Sequence, residues 1–319
     1  MKRIAVLTSG GDSPGMNAAI RAIVRTGICY DVEVVGVRHG FQGLVDGDFT
    51  LMDSKSVSGI INRGGTILHS ARSKDFRTDE GFKTALNNLT DSGIEALVVI
   101  GGNGSQTGNY ALHEAGFKVM GVASTIDNDL YGTDTTIGFK TAVNTALDCV
   151  DKLRDTATSH DRIFIVEVMG RSRGFVALDV GVAGGAEVVL IPEIPWTIEQ
   201  VINKLDSGVS RNKTSSIIVA AEGAVSGAEL ERLLKENTSY DVRTSVLGHV
   251  QRGGSPVAED RIFASQVGSY AVKFLLEGMT GQLVGEVNSR VVTTPLQEVF
   301  TKDKPLDKEL VELVSVFSV

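Results

Sequence analysis

A chain of 319 residues exceeds what one hydrophobic core usually supports, so two domains are expected. With 42% hydrophobic and 22% charged residues it has the composition of an ordinary soluble globular protein. The net charge of −8 argues against non-specific nucleic-acid binding and against an anionic membrane surface, so an anionic ligand must be met by local arginines or helix termini.

The stretch Met1–Leu7, with Lys2 and Arg3 before an apolar run, resembles the charged start of a signal peptide. It stops at once in Thr8-Ser9-Gly10-Gly11-Asp12, which reads as a first strand instead. No apolar run approaches the roughly 18 residues of a membrane span, and the cytoplasm is the expected location. Ser9–Asn17 is a glycine-rich loop leading into a helix that carries Arg21 and Arg25 on one face. Consecutive glycines between strand and helix let backbone N–H groups close on a phosphate; a plain tight turn is the competing reading. No Gly-Lys-Ser/Thr follows, so this is not a Walker A loop. A strand at 32–37 precedes a turn at His39–Leu44, and the stretches around Arg63, Arg72 and Arg77 read as loops.

The most apolar strand, Ile94–Ile100, ends in Gly101-Gly102-Asn103-Gly104-Ser105, a second candidate phosphate cradle. Its glycine spacing fits the dinucleotide fingerprint poorly, which disfavours a dinucleotide-dependent oxidoreductase. Next comes the stretch Val119–Asp129, which begins as an apolar strand and ends in Thr125, Asp127, Asn128 and Asp129. Ligands of open α/β sheets bind just past the carboxyl ends of such strands, where one of two carboxylates can serve as a base. An Asx-turn is the alternative. Phe139–Leu153 follows as an amphipathic helix with Phe139, Val143, Ala146, Leu147, Val150 and Leu153 on one face. Strands at 163–168, 188–191, 216–221 and 244–247 then end near Gly170-Arg171, Glu222-Gly223 and Gly248-His249, and Phe263–Phe274 sets another helix face. Repeated strand–glycine–polar ends are the signature of a doubly wound α/β fold. Cys29 and Cys149, far apart in apolar contexts, are expected as reduced core thiols.

Leu7–Asn17, Thr125–Asp129, Met169-Gly170-Arg171 and Gly248–Pro256 together resemble the bacterial ATP-dependent 6-phosphofructokinase family over essentially the whole chain. NAD kinases share a glycine-rich acidic turn but would not explain His249–Pro256. The resemblance implies two doubly wound three-layer α/β/α domains with mainly parallel sheets and an active site in the cleft between them. Residues 1–138 with 252–305 would form the larger, ATP-binding domain, and 139–251 with 306–319 the smaller, sugar-phosphate domain. The implied reaction is Mg-ATP-dependent phosphorylation of fructose 6-phosphate at its 1-hydroxyl, by a homotetramer with sites shared between subunits.

By the same resemblance, Asp127 would be the base, with Thr125 and Ile126 beside it. Met169, Gly170 and Arg171 would contact sugar and transferring phosphoryl, and Glu222, His249 and Arg252 would hold the sugar phosphate. Arg162 and Arg243 would reach the 6-phosphate from a neighbouring subunit. Gly11, Arg72, Ser73, Gly102, Asn103, Gly104 and Ser105 would hold ATP, with Gly11 and Arg72 also at the transferring group. Gly104 matches the ATP-using branch, since a carboxylate there would repel the nucleotide. An effector site for ADP or phosphoenolpyruvate would use Arg21, Arg25, Arg154, Gly185, Glu187, Arg211 and Lys213.

The departures from the family pattern concentrate near the chemistry. Asn103 replaces the aspartate expected to bind Mg2+, leaving a neutral amide oxygen and an indirect role for Asp129. Ser124 stands for glycine, and Lys140 and Phe175 for aspartates. Ser54, Thr214 and Ser215 depart in the effector set, which implies a weakened phosphate grip. Two functions follow: an active kinase, or an impaired paralogue that binds both ligands and regulates an active subunit.

Overall fold

The structure, a computed structural model, describes residues 1–211 and 213–317. Residues 318–319 of the segment expected at 306–319, and Asn212 within 139–251, lie outside the described residues. In chain order the first elements are β1 (Arg3–Thr8), α1 (Met16–Cys29), β2 (Glu33–Val37), α2 (Phe41–Asp46) and β3 (Phe49–Met52). Then come α3 (Asp79–Asp91), β4 (Ala96–Gly101), α4 (Asn103–Glu114), β5 (Lys118–Ala123) and α5 (Phe139–His160). These are followed by β6 (Ile163–Val168), α6 (Phe175–Ala183), β7 (Val188–Leu190), α7 (Ile198–Val209), β8 (Ser216–Ala221), α8 (Gly227–Asn237) and β9 (Val242–Val246). The chain closes with α9 (Ala258–Leu276), β10 (Gln282–Val287), β11 (Arg290–Pro295), α10 (Leu296–Thr301) and α11 (Lys308–Phe317).

The chain forms two compact units: Met1–Thr125, Asp129–Lys140 and Arg252–Lys304, and Ile126–Asn128, Thr141–Gln251 and Pro305–Val319. In the first, seven strands take the order β11-β10-β5-β4-β1-β2-β3. The pairs from β10 to β2 are parallel, while β3 and β11 attach antiparallel at the two edges. Strand alternation builds two cores. Ile4, Val6, Val98 and Ile100 pack on one face beneath α1 and α9; Ala5, Leu7, Leu97 and Val99 pack on the other beneath α2, α3, α4 and α10. A strand buried on both faces must be apolar throughout, which is why β4 reads as an unbroken hydrophobic run. Each such buried side chain contributes about 1.5–3 kcal/mol.

In the second unit four strands, β7-β8-β6-β9, are all parallel. Val201 and Leu205 of α7 and Leu230 and Leu234 of α8 cover one face. The helix α6, apolar except for Asp179, is buried along most of its length and packs against α11.

Every strand read from the sequence is present, with ends shifted by two residues or fewer. Three expectations are corrected. The stretch His39–Leu44 is not only a turn, because Gly40 and the left-handed Gly47 bracket the short helix α2. On α5, Leu147 and Leu153 are only half-buried, and the helix runs on to His160. The cysteines are not core thiols: Cys29 is exposed at the last position of α1 and Cys149 half-buried on α5. Apolar neighbours on a helix do not put every residue on the buried face.

Candidate functional site

In the first unit the strand order reverses between β1 and β4, since β1 leads to β2 on one side while β4, β5 and β10 follow on the other. Crevices at such switch points are where open α/β sheets bind ligands. Both glycine turns flagged in the sequence sit there, at the carboxyl ends of β1 and β4. Ser9 N–H donates to the Ile100 carbonyl (3.0 Å), tying the first turn to the neighbouring strand. A cavity of about 330 Å³ is lined by Gly10, Gly11, Asp12, Thr66, His69 and Ser70.

The second turn opens a helix. Gly102 caps α4, so Asn103, Gly104 and Ser105 form its first turn; Ser105 N–H donates to the Gly102 carbonyl (2.9 Å), while the N–H groups of Asn103 and Gly104 open the helix toward an anion. Buried Gln106 donates from Nε2 to the carbonyls of Gly101 (3.0 Å) and Val99 (3.3 Å), fixing the end of β4. Arg252 donates to the Asp12 carbonyl (3.2 Å), and its guanidinium fills the space where a Cβ at position 11 would lie. A side chain there would have to displace that guanidinium. Arg72 is exposed, whereas Ser73 is engaged locally, donating to Gln42 Oε1 (2.7 Å) and accepting from Phe76 N–H (2.9 Å).

The departures have visible consequences. Asn103 Nδ2 donates to Asp129 Oδ2 at 2.9 Å. A carboxylate can only accept, so the amide presents its NH2 to Asp129 and turns its oxygen elsewhere. Ser124 fills its position with a hydroxyl that hydrogen-bonds Ser13 Oγ (2.8 Å), both side chains being buried. Thr136 Oγ1 donates to the Thr125 carbonyl (2.5 Å), holding the chain just past β5. Phe175 is buried at the start of α6, and the Lys140 ammonium lies 5.0 Å from the Phe139 ring centroid. Ser54 is exposed.

In the second unit, Asp127 is 1% exposed and its Oδ2 lies 3.3 Å from Arg171 Nε. Ile126, Met169 and Ala142 form a small apolar cluster beside this pair. The turn after β6 is held from two directions. Glu222 Oε1 accepts from the N–H groups of Gly170 (3.3 Å) and Arg171 (2.8 Å), and Gln251 Oε1 accepts from Met169 N–H (2.8 Å). Arg171 adopts a left-handed backbone, φ +53°, which non-glycine residues rarely occupy. His249 is exposed on the short 3-10 turn Gly248–Arg252. Arg162 and Arg243 are brought together by Asp241, with contacts of 2.7 Å and 2.8 Å to its two oxygens. The Arg162 hydrogen bond and the charge of Arg243 hold the Asp241 carboxyl below the usual range.

The residues expected to bind an effector divide between the units. Arg154, Gly185, Glu187 and Lys213 converge: Arg154 Nη2 donates to the carbonyls of Gly184 (2.6 Å) and Gly185 (2.8 Å), and Glu187 pairs with Lys213 and accepts from Ile217 N–H (2.5 Å). Ser215 Oγ lies 3.5 Å from Thr158 Oγ1, and exposed Arg211 is held by a backbone bond to Gly208. Arg21 and Arg25 sit on α1 of the first unit. Sequence reasoning missed Gln106, Gln251 and Asp241, whose roles are hydrogen bonds across elements. The one available signal was Gln251 itself, a polar residue inside the motif Gly248–Pro256.

Among the described residues no cluster of three or more His, Cys, Asp or Glu side chains could hold a metal ion by itself. Asn103 and Asp129 carry oxygens of the kind Mg2+ takes, one amide and one carboxylate, although the amide presents its NH2 rather than its oxygen to Asp129. No helix among the described residues is long and apolar enough to cross a membrane.

The phosphofructokinase family profile matches residues 3–275. Over its full length the chain is 52% identical to the ATP-dependent 6-phosphofructokinase of Lysinibacillus sphaericus, covering 100% of both proteins. It is also 52% identical to the ATP-dependent 6-phosphofructokinase 1 of Thermus thermophilus, again covering 100% of both. Among solved structures, phosphofructokinase from Saccharomyces cerevisiae superposes with a TM-score of 0.89 at 35% identity, covering 99% of this chain and 46% of that longer one. With strand-end turns, polar pairs and full-length likeness in agreement, the chain belongs to the phosphofructokinase family.

Proposed function

We propose that the protein phosphorylates fructose 6-phosphate at its 1-hydroxyl, with ATP as donor, giving fructose 1,6-bisphosphate and ADP in the cytoplasm. The observation that carries this reading is the buried Asp127 carboxylate in contact with Arg171, within a chain that matches ATP-dependent 6-phosphofructokinases end to end. The sugar hydroxyl attacks the γ-phosphorus while Asp127 takes its proton, the bond to ADP breaks, and no enzyme-bound covalent intermediate is required. Such a transfer needs alignment and positive charge on the equatorial oxygens more than it needs a nucleophile. Arg171 and Arg72 supply that charge, and the backbone of Gly11 and of Gly102–Ser105 holds the nucleotide. Gly104 leaves room and no negative charge beside the phosphates, which favours ATP over pyrophosphate. Thr125, Ile126, Met169, Gly170, Glu222, His249 and Arg252 hold the sugar phosphate.

Mg2+, when bound with ATP, neutralises charge on the phosphate oxygens; Asn103 and Asp129 would hold it together with those phosphates. The comparisons lend no support to the regulatory-paralogue reading. We further propose a homotetramer in which Arg162 and Arg243 serve a neighbouring subunit's 6-phosphate, with ADP and phosphoenolpyruvate acting near Arg154, Glu187 and Lys213. Self-neutralisation of Glu187 by Lys213 supports a weak effector response there.

A coupled ADP-release assay tests the reaction: ATP with fructose 6-phosphate should give turnover, pyrophosphate should not replace ATP, and failure of that pair to react would refute the reading. Arg162→Ala and Arg243→Ala should each raise the KM for fructose 6-phosphate by about tenfold or more, since a charge-assisted hydrogen bond contributes roughly 1.5–3 kcal/mol. Mixing Arg162→Ala with Asp127→Ser subunits should restore part of the activity if sites are shared. Unchanged sugar affinity in both arginine variants would remove these residues from the phosphate site.

A further inference from the structure

Gln251 is wholly buried at 0% exposure, although it lies between exposed Val250 and half-buried Arg252 on the Gly248–Arg252 turn. Its Oε1 accepts from Met169 N–H at 2.8 Å, while its Nε2 has no hydrogen-bond partner among the described residues. A buried amide hydrogen unpaired in this way is destabilising, so its donor end gives no reason for a glutamine here. What keeps an amide here is its acceptor end, which satisfies the buried Met169 N–H.

What it holds is the turn that carries Arg171. Met169 N–H is fixed by Gln251, and Gly170 and Arg171 N–H by Glu222. Between them the two side chains keep Arg171 at φ +53°, a strained conformation that persists only where the surroundings impose it. Gly223 completes the bracket, because a Cβ there would overlap the Arg171 carbonyl. Released from this grip, the turn would relax toward negative φ and carry the guanidinium away from Asp127. We propose that Gln251 is a positioning residue for phosphoryl transfer, acting through the Met169–Arg171 turn to aim Arg171 at Asp127. The same hydrogen bond ties the Gly248–Arg252 turn, which carries His249, to the turn that carries Arg171, so that the two respond together.

This inference rests on the proposed transfer reaction, and a double-mutant cycle tests it. Gln251→Met keeps the length of the side chain and removes the acceptor. It should lower kcat by about 10–100-fold, the scale of an ångström-sized misplacement, with the KM for ATP nearly unchanged. In an Arg171→Ala background the same change should cost less than about threefold, because the group it aims is gone. Equal losses in the two backgrounds would mean a merely structural role and would overturn the proposal. If Gln251→Met does not fold, Gln251→Asn, too short to reach Met169, enters the same cycle with the same expectation. Hydrogen exchange needs no substrate and so separates this inference from the kinase reading: the Met169 amide should exchange faster in either variant, and unchanged protection would contradict the clamp.

Discussion

Asp127→Ser should lower turnover by about two to four orders of magnitude while sugar-phosphate binding survives, the usual size of a general-base contribution. The expectation follows from where the carboxylate lies. Asp127 is buried, just beyond β5, and one of its oxygens faces the Arg171 guanidinium at 3.3 Å. Serine keeps a small polar group but cannot take the proton of the sugar hydroxyl at neutral pH. Arg171 then loses its anionic neighbour but keeps the backbone bond to Glu222, so the turn should persist. Steady-state kinetics with a separate measurement of fructose 6-phosphate binding distinguishes the two effects. A wild-type rate in the variant would remove Asp127 from the mechanism, and lost binding with an unchanged rate constant would make it a ligand instead.

Asn103→Asp should raise kcat by roughly one to three orders of magnitude, on the scale of changing one electrostatic stabiliser, and should lower the Mg2+ concentration required. In the present chain the Asn103 amide donates to Asp129 at 2.9 Å, so the carboxylate already has a neutral partner. Aspartate at 103 would set two carboxylates at that separation, where like charges repel unless a cation joins them. The variant should therefore melt at lower temperature than the parent without Mg2+ and gain more from its addition, a readout independent of turnover. ATP affinity should change little, since Gly102 and Gly104 keep their places at the start of α4. A Mg2+ titration of rate and melting temperature for both proteins decides the matter. Were neither to differ, Asn103 would not be at the metal; were an inactive parent left inactive, Ser124 and Phe175 would become the suspects.

The central strands of both sheets were legible because a doubly buried strand must be apolar, and because each run ends abruptly at a glycine or a polar residue. At β6 (Ile163–Val168) and β8 (Ser216–Ala221) both ends fall where the sequence placed them. The edge strands β3 and β11, and β10 beside the latter, were not read, because they are partly exposed and lack a continuous apolar run. The glycine turns announced themselves through composition, but their meeting at the β1–β4 reversal depends on strand order, which no local pattern encodes. Gln251 and Asp241 were illegible for a similar reason: each matters through partners distant in sequence, Met169 for one and Arg162 for the other. The cysteines misled because a hydrophobic neighbourhood in sequence says little about which helix face a residue occupies.

The most direct test of the proposed activity is 31P NMR of the purified protein incubated with ATP, Mg2+ and fructose 6-phosphate. Fructose 1,6-bisphosphate should appear in step with ADP, its new phosphate resonance at the 1-position, and both should fall together in Asp127→Ser. Binding of both ligands without any bisphosphate formed, even at high Mg2+, would contradict the proposal and leave a protein that holds the substrates of this reaction without catalysing it.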